Sequence, residues 1–214
     1  MRNPSPPPTP HPTPPVIPNH PLESPIVYPV AANFNRWFNQ NGSVLTDLGD
    51  AVNLSAPAGG AGQNMNGVAQ AAPATPWVVK ARVQPQIIHK NYHSSGVFIG
   101  DMTTGRLITC TANAFDNQIV TSNWTTGTAF VGDIGDDAPH YSWGTTWFKL
   151  EDNGTNIVIS ISMTGLDSTW LTIYTAVNTA WLAAPDSVGI CAQQRNAGNP
   201  LQSVSTTLQS WAVS

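Results

Sequence analysis

Residues 147–175 read "WFKLEDNGTNIVISISMTGLDSTWLTIYT", and this stretch decides the fold. Phe148 and Leu150 alternate with Trp147, Lys149 and Glu151, which is the period of two of a half-buried strand. Asn153-Gly154 follows, a pair that tolerates positive φ at both positions and so favours a tight hairpin. The returning segment carries Ile157, Ile159, Ile161 and Met163 on one face and Val158, Ser160 and Ser162 on the other. The first face is expected in the core and Gly154 in a positive-φ turn position. Gly165 permits a second turn, after which Trp170 to Tyr174 alternates again. β-Branched residues are frequent and no apolar stripe recurs at the helical period, so a helix fits poorly.

The same pattern extends in both directions. Strands are expected near residues 33–39, 43–47, 50–55, 64–71, 77–85, 95–101 and 105–112. Others follow near 117–124, 128–132, 145–152, 155–163, 169–175, 187–194 and 204–213. "APAGGAG" at 56–62 reads as a loop, and "TAWLAAP" at 179–185 as a short helical turn ended by Pro185. About fourteen short strands with scarcely any helix signal predict an all-β, two-sheet sandwich.

Composition separates the chain into two parts. Twelve of the 19 prolines lie in residues 1–29, where they fix φ near the polyproline II value and remove backbone donors. Residues 1–30 are therefore read as an extended arm and residues 31–214 as one β-domain. An arm of this kind reaches up to about 90 Å when fully extended. It serves either as a linker or as an anchor, and the apolar side chains of Ile17, Ile26 and Tyr28, set among Pro15 and Pro25, are its candidate partner contacts.

Only 9% of the 214 residues are charged and the net charge is −4, so no basic stripe exists to neutralise a phosphate backbone, and nucleic acid is disfavoured. No apolar run approaches the roughly 20 residues that span a bilayer, and "MRNPSPPPTP" lacks the apolar segment of a secretory signal. Asn41, Asn53, Asn123 and Asn153 match a glycosylation pattern and are read instead as turn chemistry. Cys110 and Cys191 both sit in strand-like runs as small buried hydrophobes, with pairing between them left open.

"WFKLEDNGTNIVISISMTGLDSTW" and "SVGICAQQRNAGNPLQSVSTTLQSWAVS" together resemble the end of a concanavalin A-like lectin/glucanase jelly roll. The shared elements are Trp147, Lys149, the Asp152-Asn153-Gly154 turn, Ser160, Ser162, Gly165, Trp170, Val188-Gly189-Ile190 and the closing Leu208 to Val213 strand. "FNRWFNQNGSVLTDLGDAVNLSAPA" and "YHSSGVFIGDMTTGRLITC" resemble the early strands of that family, in versions carried by tailed-phage virion proteins. The resemblance implies a structural, decoration or fibre protein of a virion, made in the host cytoplasm. Its arm would hold other virion proteins and its body would be displayed in many copies or as a homo-oligomer. A glycan-binding module for host attachment is the alternative.

Catalysis of glycoside cleavage usually takes two carboxyl groups across the scissile bond. The only glutamates are Glu23, in the arm, and Glu151, beside a turn, so the paired glutamates of the family's glucanases are missing and no enzyme is expected. His89 and His93, in "HKNYH", share a face of a strand and admit a metal, although a surface pair is the simpler reading. "GDIGDDAPH" places Asp133, Asp136 and Asp137 in a Gly-rich loop. Those three carboxylates suit either calcium or solvent, and no other cofactor is implied. With Trp124, Tyr141 and Trp143 nearby, they form the candidate glycan site, because an aromatic face takes a sugar's C–H surface while carboxylates take its hydroxyls. Core packing competes for every tryptophan, and Trp77, Trp147, Trp170 and Trp211 are assigned to the sheets.

Overall fold

A computed structural model describes residues 23–57, 62–86, 93–114, 117–139, 144–194 and 203–214, with the side chains of Asp136 and Pro139 excepted. Pro15, Ile17, His89, Tyr141 and Trp143 lie outside the described residues. The strands are β1 (Arg36–Phe38), β2 (Val44–Asp47), β3 (Val52–Ala56), β4 (Met65–Ala71), β5 (Trp77–Gln86), β6 (Ser94–Asp101) and β7 (Arg106–Asn113). Next come β8 (Gln118–Thr126), β9 (Ala129–Pro139), β10 (Thr146–Asp152), β11 (Asn156–Ser162), β12 (Leu171–Val177), β13 (Ser187–Gln193) and β14 (Val204–Val213). Every paired neighbour runs antiparallel. Sheet A has the order β1-β4-β13-β6-β7-β8-β9 and sheet B the order β12-β11-β10-β5-β14-β3-β2. The fold is an all-β, two-sheet jelly-roll sandwich.

Strand β5 shows how alternation builds the interior. Trp77, Val79, Ala81 and Val83 are buried while the residues between them are partly exposed. From sheet B, Leu54, Val79, Leu150, Ile157 and Ile159 meet Val97, Ile99, Ile108, Val188 and Ile190 of sheet A. Gly154 holds the hairpin turn with φ +89, as expected, and Asp152 Oδ1 accepts from its N–H at 2.9 Å. Met163, expected in the core, is exposed instead. Strand β11 ends at Ser162, whose Oγ accepts from the N–H groups of Thr164 and Gly165 at 3.1 and 2.8 Å and turns the chain away one residue early.

Two other expectations change. Asn53 and Asn123 lie within β3 and β8 rather than in turns. The segment with Asp133, Asp136 and Asp137 is not a loop, since β9 runs on to Pro139. Its glycine is used differently: Gly135, at φ +77, sits where one residue of β8 faces three of β9, and so makes a bulge. Cys110 and Cys191 are free and belong to apolar clusters on opposite faces of sheet A. Burial pushes the Cys110 thiol up to about 12 and the Cys191 thiol well above its usual range, so neither is a nucleophile at neutral pH.

Residues 23–30 cross the outer face of sheet B as a strap. The Ser24 N–H donates to the Thr164 carbonyl at 2.8 Å, and Glu23 pairs with Arg82 at 3.1 Å. The Val27 N–H donates to Ser210 Oγ at 2.9 Å. The Trp211 N–H returns a bond to the Val27 carbonyl at 2.8 Å, beside a register shift in β14. Trp147 is buried on that outer face, because Gly165 lies close over its ring: a Cβ at Gly165 would come within 2.6 Å of the indole. Pro25, Ile26 and Tyr28 thus belong to a segment tied to the body, with Ile26 and Tyr28 still exposed.

Candidate functional site

Sheet A buries side chains on both faces. Strands β6 and β13 are buried along their whole length, because a second cluster of Phe38, Met65, Phe98, Leu107, Trp124 and Cys191 covers the face turned away from the main core. Glycines make room for it. The ring of Phe98 occupies the space over Gly67, where a Cβ would approach within 2.9 Å, and Phe38 lies over Gly100 at 2.6 Å. The two rings meet edge to face at 5.2 Å.

Three register irregularities in the β8–β9 pairing coil that ribbon over the same face. Its turn reaches the far side of the sheet, where the Met65 N–H donates to the Gly127 carbonyl at 2.7 Å. Strand β4 is separated from β8 by β13, β6 and β7, so this bond closes the sheet across its own surface.

Beneath the ribbon lies a cavity of about 210 Å³ lined by Gln63, Met65, Ser94, Thr111, Asn113, Ser122, Trp124, Phe130, Asp133 and Gln193. Its floor is polar and buried. Ser94 Oγ donates to Gln193 Oε1 at 2.8 Å, and Gln193 Nε2 donates to Gln63 Oε1. Ser122 Oγ donates to Asp133 Oδ1 at 2.7 Å, and the carboxylate keeps further acceptor capacity. Phe130 stands at the wall, 38% exposed and edge-on to Trp124 at 5.2 Å. The cavity therefore offers an exposed aromatic ring, a carboxylate, three amides and three hydroxyls.

Of the residues expected here, Trp124 and Asp133 meet at this cavity. Trp124 is buried rather than displayed, with Nε1 donating to Thr109 Oγ1 at 3.1 Å, so Phe130 holds the exposed aromatic position. Asp137 is exposed on β9 but does not line the cavity. Among the described residues no group of three His, Cys, Asp or Glu is placed to hold a metal ion. His93 is buried beside the start of β6. Ser94, Thr111, Ser122 and Gln193 went unnoticed in the sequence, since each is an ordinary polar member of an alternating strand. The one local signal was their recurrence at the same end of several predicted strands.

The chain matches no family profile and no curated protein. It is similar in fold to solved structures. A functionally unknown protein from Saccharomyces cerevisiae aligns with TM-score 0.62 and 13% identity, over 86% of this chain and 97% of the other. The carbohydrate binding module CBM66 from Bacillus subtilis aligns with TM-score 0.53 and 9% identity, over 85% and 96%. The CBM2 module of the evolved Dit of Lactobacillus casei BL23 phage J-1 aligns with TM-score 0.51 and 12% identity, over 79% and 78%. A GH43 protein from Bacillus licheniformis also aligns, with TM-score 0.57 and 12% identity over 76% of this chain, but the match spans only 32% of that protein. These likenesses establish the fold.

Proposed function

We propose that the protein is a glycan-binding module, with its site in the cavity between the β8–β9 ribbon and the floor of sheet A. The observation that carries this reading is the cavity's lining: Phe130 exposed beside Asp133, above the buried hydroxyls and amides of Ser94, Thr111, Ser122 and Gln193. Sugars need both elements, an aromatic ring for the C–H face and paired polar groups for the hydroxyls. Among the described side chains of the lining, Asp133 is the one carboxylate, whereas hydrolysis usually takes two, which favours binding over cleavage. The carbohydrate-binding neighbours lend support through fold alone.

A glycan array followed by calorimetric titration tests it. Asp133→Asn and Phe130→Ala should each weaken binding about tenfold or more, with cooperative melting retained. Absence of any glycan ligand, or unchanged affinity in both variants, would sink the proposal.

A virion setting is favoured by one further observation. The strap brings the chain onto the outer face of sheet B, opposite the cavity, so a partner held through the Pro-rich segment leaves the site facing outward. In this reading many copies on a phage particle supply avidity to a site that takes little of each glycan. Removing residues 1–22 should leave the body folded and glycan binding intact while abolishing incorporation into particles, as followed by mass spectrometry of purified virions. Normal occupancy of the truncated protein would remove the arm as anchor.

A further inference from the structure

The outer face of sheet A carries two cavities. The second, of about 250 Å³, is lined by Trp37, Phe38, Asn39, Met102, Gly105, Thr126, Gly127 and Thr128. A chain lying along this face would have to pass between them, and a clamp stands in the way. Asn39 Nδ2 donates to the Met65 carbonyl at 3.0 Å and to Asn64 Oδ1 at 2.7 Å. The Met65 N–H donates in turn to Gly127. Gly127 is buried against Asn39 so closely that a Cβ there would also fall within 2.6 Å of the Met65 carbonyl. Met65 faces the first cavity, and Asn39 and Gly127 face the second.

From this clamp we infer that the site takes the terminal unit of a glycan rather than an internal stretch, an inference that rests on the glycan-binding reading. Met65 lines the first cavity, and the bond from its N–H to the Gly127 carbonyl stands between that cavity and the second. Its volume of about 210 Å³ is below the roughly 300–1,000 Å³ of sites that enclose drug-sized ligands, which suits one sugar ring. Its polar groups are spread over the floor and one wall, from Gln193 and Ser94 to Ser122 and Asp133, so a single ring is surrounded rather than grazed. In this reading the contacts are made with the first unit, and affinity depends on the end of the chain and not on its length.

The test is calorimetric titration of the full chain with neutral linear oligosaccharides of two to six units, the methyl glycosides of their terminal sugars, and the same oligosaccharides with the terminal unit blocked as a 4,6-ethylidene acetal. Terminal recognition predicts affinities within about twofold between methyl glycoside and longest chain, and loss of binding on blocking. Affinity that climbs with length and ignores the block would overturn the inference while leaving the glycan-binding reading intact. Failure of every probe and of the wider array would overturn both. Asn39→Gly separates the clamp from overall stability, because Asn39 has φ +53 and glycine keeps that conformation while removing the side chain. This variant should melt cooperatively and gain affinity for the six-unit chain relative to the methyl glycoside. An unchanged ratio in a folded Asn39→Gly protein would show that the clamp does not set the preference.

Discussion

Ile159→Ala should lower the free energy of unfolding by about 2–5 kcal/mol, the range for removing most of a large aliphatic side chain from a close-packed interior. Ile159 is fully buried, with Leu150 opposite on β10 and Tyr174 opposite on β12. It lies within the cluster shared by the two sheets, so little of the vacated space can be filled by local movement. Denaturant melts at constant m-value measure the change. Met163→Ala, four residues on, is the internal control. Met163 is 65% exposed, and its truncation should change stability by no more than about 0.5 kcal/mol. Similar losses for both variants would mean that the chain does not leave the sheet at Ser162.

Trp124→Ala should cost about 3–5 kcal/mol and, with the site as proposed, abolish glycan binding as well. The indole is 1% exposed, bridges Phe130 and the floor of the cavity, and gives its N–H to Thr109. Losing it removes both the packing under the ribbon and the support for the exposed ring. Trp124→Phe distinguishes the two effects. It keeps the aromatic contact with Phe130, and should retain measurable binding despite a lowered melting temperature. A Trp124→Ala protein that melts like the parent would contradict the placement of this side chain in the second apolar cluster.

The strands were legible in the sequence because their information is local. Alternation in β5 and β10, and Asn153-Gly154 between β10 and β11, state their conformation without help from the rest of the chain. Met163 was misplaced because a hydroxyl intervened: period two says nothing about Ser162 capturing two backbone N–H groups and ending the strand. The site was half legible for the same reason. Trp124 and Asp133 are near one another in sequence and carry conspicuous side chains. Ser94, Thr111 and Gln193 come together only when β13, β6 and β7 are laid side by side, an order set by long-range pairing. The clamp was wholly hidden, since Gly127 and Asn39 belong to opposite ends of one sheet and meet only because the bulged ribbon coils.

The strap also fixes a route for mechanical load. Tension applied ahead of Glu23 is taken up first at Arg82 and Thr164, then at Ser210 and Trp211, and every one of these residues belongs to sheet B or to the β11–β12 connection. Sheet A contributes no hydrogen bond to that line. Force reaches sheet A through Thr206 of β14, which shares a 2.6 Å hydrogen bond with Ser95 Oγ of β6 and donates to the Cys191 carbonyl of β13, and through Gly135 of β9, which lies against Ile173 of β12. In the proposed reading, load enters the body through sheet B, and Thr206 is a bridge by which it reaches the layer that carries the cavity.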